Sequence, residues 1–434
     1  MCDGEQFRIV SRIAAIQVLP GCLEKLPVNV MTRSLWVERE FVMQSFVATS
    51  IAPTAAEAGK EVAGKIKAGI EGVKVAMAYG SCDYDSKELL DAIAAELPDV
   101  PVLGNTSFTG IITPEGFVGG DTPFVGILAL GGDDVVVGTA GAARDSAECA
   151  RCIGKNLAKA AMEAAGKDCP PDYWYMAASP AEEEYYIKGV TDVIGRVPFF
   201  GGSAADNEIA GKWWLYSGTD AFQDGCVVAF FYTDTPFVNK FTGAYAETDK
   251  FGIVTKMDGD RGIAEICGKP ALDVYAEWRG MSTDQLMGGD LLVESIVAPL
   301  GVKDRMGDLI AIRHPMNGND DHSIAVGAKV AEKTAVIMMD GDVDCLVGSV
   351  AKTAGELKEA AENVGAGKPA AYFFVHCGGR RAAIADRIGE VADSFIKEAD
   401  GVPFLAEFTF GEYGFEQDGC NSIGGLMLSF SQLG

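Results

Sequence analysis

Three stretches of this chain follow one script, and that repetition constrains the fold more than any single motif. Each is built around a short apolar, β-rich run: VKVAMAYG at 73–80, YWYMAA at 173–178 and AAYFFVHC at 370–377. An amphipathic helix pattern follows, over 86–97, 182–194 and 382–399. A Val-Pro step then starts a second strand, at Val100-Pro101, Val197-Pro198 and Val402-Pro403. Proline is tolerated there because the first residue of a strand need not donate to the ladder. A polar, Gly-bearing loop and a third apolar run close each unit, the runs lying at 124–130, 226–232 and 423–430. Each unit is also preceded by a strand and a helix: 45–49 with 55–69, 135–141 with 146–166, and 335–339 with 347–365. The expected unit is β-α-β-α-β-β, repeated at about 45–130, 133–232 and 334–430. Such alternation implies an α/β fold of mixed sheets covered by helices.

The segment from about 236 to 333 fits the script poorly and is expected to be a degenerate fourth copy, with one helix pattern at 270–278. At roughly 150 residues per domain, 434 residues allow two or three domains. The reading is a two-domain chain. An extension covers 1–42, an N-terminal domain of two copies covers 43–235, and a C-terminal domain of the divergent segment plus the third copy covers 236–434.

Charge narrows the partners. With 36 basic and 62 acidic side chains the formal charge is −26, which argues against nucleic acid because phosphate contacts call for Lys and Arg. No apolar run reaches the ~18 residues of a membrane span, and the start lacks a signal-peptide pattern. Eleven cysteines without a framework suggest free thiols in a reducing, cytoplasmic compartment. Cys149 and Cys152 fall in an Ala-rich helix pattern with no second ligand pair for zinc, and are expected to be helix-packing residues.

The loops after the Val-Pro strands are the candidate pocket, since ligands gather beyond the carboxyl ends of strands in open α/β sheets. They offer Asn105 and Ser107, then Gly202, Ser203 and Asp206, then Thr409, Gly411 and Glu412. The same residue types also serve as turn formers and helix caps. A second constellation, Cys377-Gly378-Gly379-Arg380, runs from a strand end into a helix and offers N–H groups and a guanidinium to an anion. His376 and Cys377 are strand neighbours facing opposite ways, so they make no dyad. Three histidines in all, His314, His322 and His376, weaken metal-hydrolase and serine-triad readings. The acidic run 340–344 lacks a calcium loop's Gly and Glu and reads as a solvated turn.

The stretch Phe199-Phe200-Gly201-Gly202-Ser203-Ala204-Ala205-Asp206, the Cys377 to Arg380 turn and Thr409-Phe410-Gly411-Glu412 resemble the FIST proteins. So do Val254-Thr255-Lys256 and the run from Gly268 to Leu272, and the resemblance spans about 43–430. It implies paired N- and C-terminal FIST domains acting as a ligand-sensing module of signal transduction. It further implies a small ligand such as an amino acid or, alternatively, haem for nitric-oxide sensing on one of the histidines. For an amino acid, Arg380 is the expected carboxylate clamp. Asp206 and Glu412 are candidates for the ammonium, with the hydroxyls of Ser203 and Thr409 completing its bonds. No methyl-accepting, kinase or cyclase region follows Gly434, so the expected sensor passes its signal to a separate partner by contact. An enzyme using Glu412 or Asp206 as general base, and an interaction scaffold with no pocket, are the remaining alternatives.

Overall fold

In the computed structural model, the structure describes residues 43–303, 309–415 and 421–434, so the extension expected at 1–42 lies outside the described residues. Three six-stranded mixed sheets share one plan. In the first, the strand Gln44–Ser50 pairs antiparallel with Val125–Gly131, which pairs antiparallel with Val73–Gly80, which runs parallel to Val102–Thr106. The second repeats this with Val135–Ala143, Gly225–Thr233, Tyr173–Ala178 and Phe199–Ser203. The third repeats it with Val238–Thr242, Leu428–Leu433, Ala371–Cys377 and Phe404–Thr409.

Each sheet is completed by a hairpin from a different copy. The first copy's hairpin (Gly110–Thr113, Gly116–Gly119) pairs with the third copy's Val-Pro strand at Ile111 and Glu407. The second copy's hairpin (Leu215–Ser217, Asp220–Phe222) pairs with the first at Leu215 and Asn105. The third copy's hairpin (Glu412–Phe415, Asn421–Gly424) pairs with the second at Glu412 and Gly202. The exchange is cyclic, and the contact falls at the same strand position each time. It also ties residues on both sides of position 235 into shared sheets.

Period-two alternation explains the packing. The inner faces of all three sheets meet in one core through Met77 and Tyr79, Tyr173 and Tyr175, and Phe373 and Val375. Their outer faces are covered by helices, so these strands read as continuous apolar runs. On the first sheet lie α1 (Ala55–Gly69) and α2 (Ser86–Glu96). On the second lie α3 (Ala150–Ala164) and α4 (Glu183–Ile194).

The segment expected as a fourth copy is something else. It forms a separate, all-antiparallel sheet of the strands between Ala246 and Asp340, with α5 (Ala271–Arg279) on its core and the short α6 (Asp290–Glu294) beside it. This sheet is inserted into the third copy, after its opening strand Val238–Thr242. The run at 335–339, read as that opening strand, instead pairs inside the inserted sheet. The insertion leaves this strand directly before a helix, the place an opening strand holds in the other copies. The third copy then resumes with α7 (Val343–Asn363), α8 (Gly378–Ile384) and α9 (Ile388–Ala399). The acidic run before α7 is a helix start, with Asp342 accepting from the Cys345 N–H at 2.7 Å.

Candidate functional site

The three loops after the Val-Pro strands do meet. The N–H of Phe108 donates to Phe408 O, that of Ala205 to Thr106 O, and that of Phe410 to Ser203 O, at 2.9, 2.9 and 3.2 Å. Counted from each Val-Pro step, donor and acceptor hold the same positions in all three bonds, which form a closed ring of copy on copy.

The polar side chains of the loops are occupied by the protein itself. Asn105 donates to Glu407 Oε2 (2.8 Å) and accepts from the Tyr175 hydroxyl (3.1 Å). Ser107 donates to Gly110 O and accepts from the Phe408 N–H. Thr409 donates to Glu412 Oε1, whose Oε2 accepts from the Met427 N–H at 2.8 Å. Asp206 accepts from the backbone of Glu208, Ala210 and Lys212, so it builds the loop that follows it. A Cβ on Gly202 would lie 2.4 Å from Thr409, and one on Gly411 would lie 2.8 Å from Ser203 Oγ, so both glycines serve close approach. The guanidinium of Arg380 is fully buried, donating to Gly243 O (2.8 Å) and to Ser349 Oγ. The Cys377 sulfur accepts from the N–H groups of Gly379 (3.3 Å) and Leu426 (3.2 Å), which occupies one donor expected to meet an anion.

Burial pushes the carboxyls of Glu407 and Glu412 up to about 8, so both hold a proton at neutral pH. A partner missed from the sequence is Glu183. It stands 1 % exposed in the first turn of α4 and accepts from Ser203 Oγ at 2.9 Å, while Tyr413 shares the same hydroxyl at 2.7 Å. Arg261 of the inserted sheet reaches both Glu183 and Glu184 at 2.6 Å. The signal was the acid run 182–184, which looks like an ordinary solvated helix start.

What the loops enclose is apolar. A cavity of about 360 Å³ is lined by Phe108, Ile209 and Phe410, one residue from each repeat loop, together with Leu292, Val293 and Met316 from the inserted segment. Cys377, Gly378 and Gly379 line it too; Arg380 and the eight polar or glycine residues named from the three loops do not. Ile209 and Val293 are 52 % and 64 % exposed and stand at the rim. Ile209 also holds φ +56°, a conformation β-branched residues rarely adopt and one that concentrates at ligand clamps. The lining histidine is His314, whose pKa burial pushes down to about 4. Neutral, it donates from Nε2 to Leu292 O at 3.0 Å and leaves Nδ1 as an acceptor. A more polar hollow of about 540 Å³, lined by Lys240, Asp340, Asp342 and Lys352, takes no residue from the three loops.

A family model, the FIST N domain, matches residues 74–269, and a second, the FIST C domain, matches residues 271–414. The chain belongs to the FIST family. FIST domains are signal-transduction sensory domains. No curated protein matches the chain. Among solved structures, a cyanuric acid hydrolase from A. caulinodans is similar over 90 % of this chain and 99 % of its own, at 8 % identity and a TM-score of 0.38. A second cyanuric acid hydrolase structure is similar over 46 % of this chain and 72 % of its own, at 10 % identity and a TM-score of 0.27. At these scores neither bears on what this FIST protein does. Among its described residues no helix is long and apolar enough to cross a membrane, and no group of three or more His, Cys, Asp or Glu is placed to hold a metal ion.

The residues do not fit haem. Among the described residues the cavity lining holds no Lys or Arg for the propionates, and Nε2 of its histidine is bonded to Leu292. His376 is buried outside the lining and His322 pairs with Asp273 at 2.7 Å.

Proposed function

We propose that this FIST protein senses a small, predominantly apolar molecule bound in the cavity where the three repeat loops face the inserted sheet. The observation that carries the reading is the convergence of Phe108, Ile209 and Phe410 with Leu292, Val293 and Met316 on one hollow. Its volume of about 360 Å³ falls within the range of small-molecule sites, roughly 300–1,000 Å³. An apolar guest gains about 25 cal/mol for each Å² it removes from water. A free amino acid fits less well, because no Arg, Lys, Asp or Glu lines the cavity to pair its two charges. A neutral guest with one hydroxyl or N–H group suits the acceptor on His314. Catalysis is not part of this reading, since burial raises the Cys377 thiol, its sulfur already accepts two backbone N–H groups, and burial holds the lining imidazole of His314 at about 4, a weak base. Signal output passes by contact to a separate protein partner in the cytoplasm, which agrees with the free thiols of the chain.

Thermal-shift measurements with indole, 1-naphthol and 1-octanol, set against an amino-acid panel, test the proposal. A guest at a hundred times its Kd stabilises the native state by about 2.7 kcal/mol. Filling the hollow with Ala382→Trp, at an exposed lining residue, is expected to abolish the shift while leaving the unliganded melting temperature in place. Shifts confined to amino acids, or an apolar shift that survives Ala382→Trp, would overturn it.

A further inference from the structure

Cys149 and Cys152 are not packing residues. The buried face of α3 is made by Ala150, Ile153, Gly154, Leu157, Ala158 and Ala161, and both cysteines are exposed. Cys149 holds the N-cap position with extended backbone, φ −75° and ψ 108°. Its side chain therefore folds over the first helical turn, and its sulfur accepts the N–H of Cys152 at 3.2 Å. Ser, Thr, Asp or Asn usually makes this contact; here a thiol makes it, directly above a second thiol. The contact brings the Cys149 sulfur to 3.2 Å from the backbone nitrogen of the residue that carries the second thiol. Residues three apart on a helix have Cβ atoms about 5–6 Å apart, too far for a disulfide, which wants roughly 3.5–4.5 Å. The non-helical N-cap backbone lifts that restriction by turning Cys149 towards its partner.

We propose that Cys149 and Cys152 form a reversible dithiol–disulfide pair that exchanges with low-molecular-weight disulfides of the glutathione class. The Cys149 thiolate attacks one sulfur of the oxidised disulfide, forming a mixed disulfide and releasing one thiolate. The Cys152 thiolate then attacks Cys149 Sγ, and the second small thiol leaves. Two protein thiols are oxidised to one disulfide, one small disulfide is reduced to two thiols, and the two protons end on the leaving groups. The roles follow from the surroundings. The thiol of Cys149 is held below its ordinary range by the Cys152 side chain, then by the N–H groups of Cys152 and Arg151 and the charge of Lys155. That of Cys152 is held above its range, first by the neighbouring Cys149 side chain. Arg151 and Lys155 are fixed by Asp192 of α4, at 2.7 and 3.0 Å, and the preceding turn carries Asp145 and Glu148.

The test uses the full chain in mixtures of reduced and oxidised glutathione, quenched with acid and mapped by mass spectrometry on a fragment spanning 145–155. The expected result is a fragment two hydrogens lighter, restored by dithiothreitol. Cys152→Ser is expected to trap glutathione on Cys149, and Cys149→Ser to abolish the reaction; serine caps a helix well at 149 and residue 152 is exposed, so both variants fold. Cys169 and Cys267 are exposed cysteines without such a partner and serve as internal controls. Cys149 is expected to react with iodoacetamide roughly tenfold faster than either. Equal rates at all three sites, or a fragment that keeps both thiols when oxidised glutathione is in large excess, would overturn the proposal.

Discussion

Substituting Glu407 by Gln should make the protein more resistant to alkali. Glu407 lies in the third Val-Pro strand, fully buried on the face that meets the inner core, and its Oε2 accepts from Asn105 at 2.8 Å. No cation offsets its charge; burial dominates, and nearby Glu412 adds to it, so the carboxyl moves from an ordinary 4.5 up to about 8. In the folded state the proton is retained, whereas in the unfolded chain it leaves above about pH 4.5. The stabilisation is therefore complete below the unfolded value and is lost as pH rises through the folded one. At 1.36 kcal/mol per pH unit, a window from 4.5 to about 8 amounts to roughly 5 kcal/mol. Glutamine keeps an acceptor for Asn105 and cannot ionise. The urea midpoints of parent and variant are expected to coincide near pH 5, to diverge up to about pH 8 and to keep a constant separation above it, with the variant higher. Glu412 is present in both proteins, so the difference reads Glu407 together with its coupling to Glu412. Infrared spectra offer a direct check, since the variant should lack part of the parent's protonated-carboxyl band at neutral pH. A difference in midpoint that stays flat from pH 5 to 9 would refute the assignment of a neutral, buried carboxyl.

Gly201→Ala should destabilise by at least about 3 kcal/mol, because the residue holds φ +135° and a Cβ there would lie 1.9 Å from Met176 O. Gly104→Ala, at the equivalent strand position with φ +147° and the same 1.9 Å approach to Ala78 O, should match it, while Gly195→Ala, which meets no atom, should cost only the strain of its φ +76°, about 1–3 kcal/mol, and less than either. Equal unfolding midpoints for the three variants would count against the close-approach explanation. Arg261→Met should cost about 3 kcal/mol, since it leaves the buried Glu183 without its cation, and pairing it with Glu183→Gln should recover most of the loss. If the double variant is no more stable than the single one, the ion pair is not what holds α4 to the inserted sheet.

The Val-Pro steps made the three parallel strand pairs legible, because Val102, Phe199 and Phe404 hold matching places opposite Ala76, Trp174 and Tyr372. The hairpin exchange was not legible. Nothing local distinguishes a hairpin that pairs with its own copy from one that pairs with another, and the partners are as distant as Ile111 and Glu407. The three loops meet, as their shared position after the Val-Pro strands suggested, but their polar side chains bond within the protein. Ser, Thr, Asn and Asp pair as readily with their own backbone as with a guest, and in Ser107, Thr409 and Asp206 the backbone and neighbouring side chains take them. Phe108 and Phe410, which face the cavity, stand in the same loops, and an aromatic residue in a loop carries no local sign of whether it lines a pocket or fills a core.

The cyclic exchange also explains why the cavity lies where it does. Each Val-Pro strand ends against a hairpin from another copy, so none of the three loops can be placed until two copies are paired. The hydrogen-bond ring from Phe108 to Phe408, Ala205 to Thr106 and Phe410 to Ser203 closes only when all three are present. Phe108 and Phe410 leave from the donor positions of that ring, with centroids 5.8 Å apart, so their approach follows from the assembled body and not from either loop alone. Opposite them the cavity wall comes from the inserted sheet and α6, joined to the second copy through Arg261, Glu183 and Glu184. A guest there touches two parts of the molecule that Arg261 already couples, and Ser203 links that coupling to the ring through Glu183. Binding that favours one spacing of the two walls would therefore act on the same contacts that Arg261→Met breaks, so the variant should alter affinity for an apolar guest as well as stability. Unchanged affinity in a folded Arg261→Met protein would separate the cavity from this coupling.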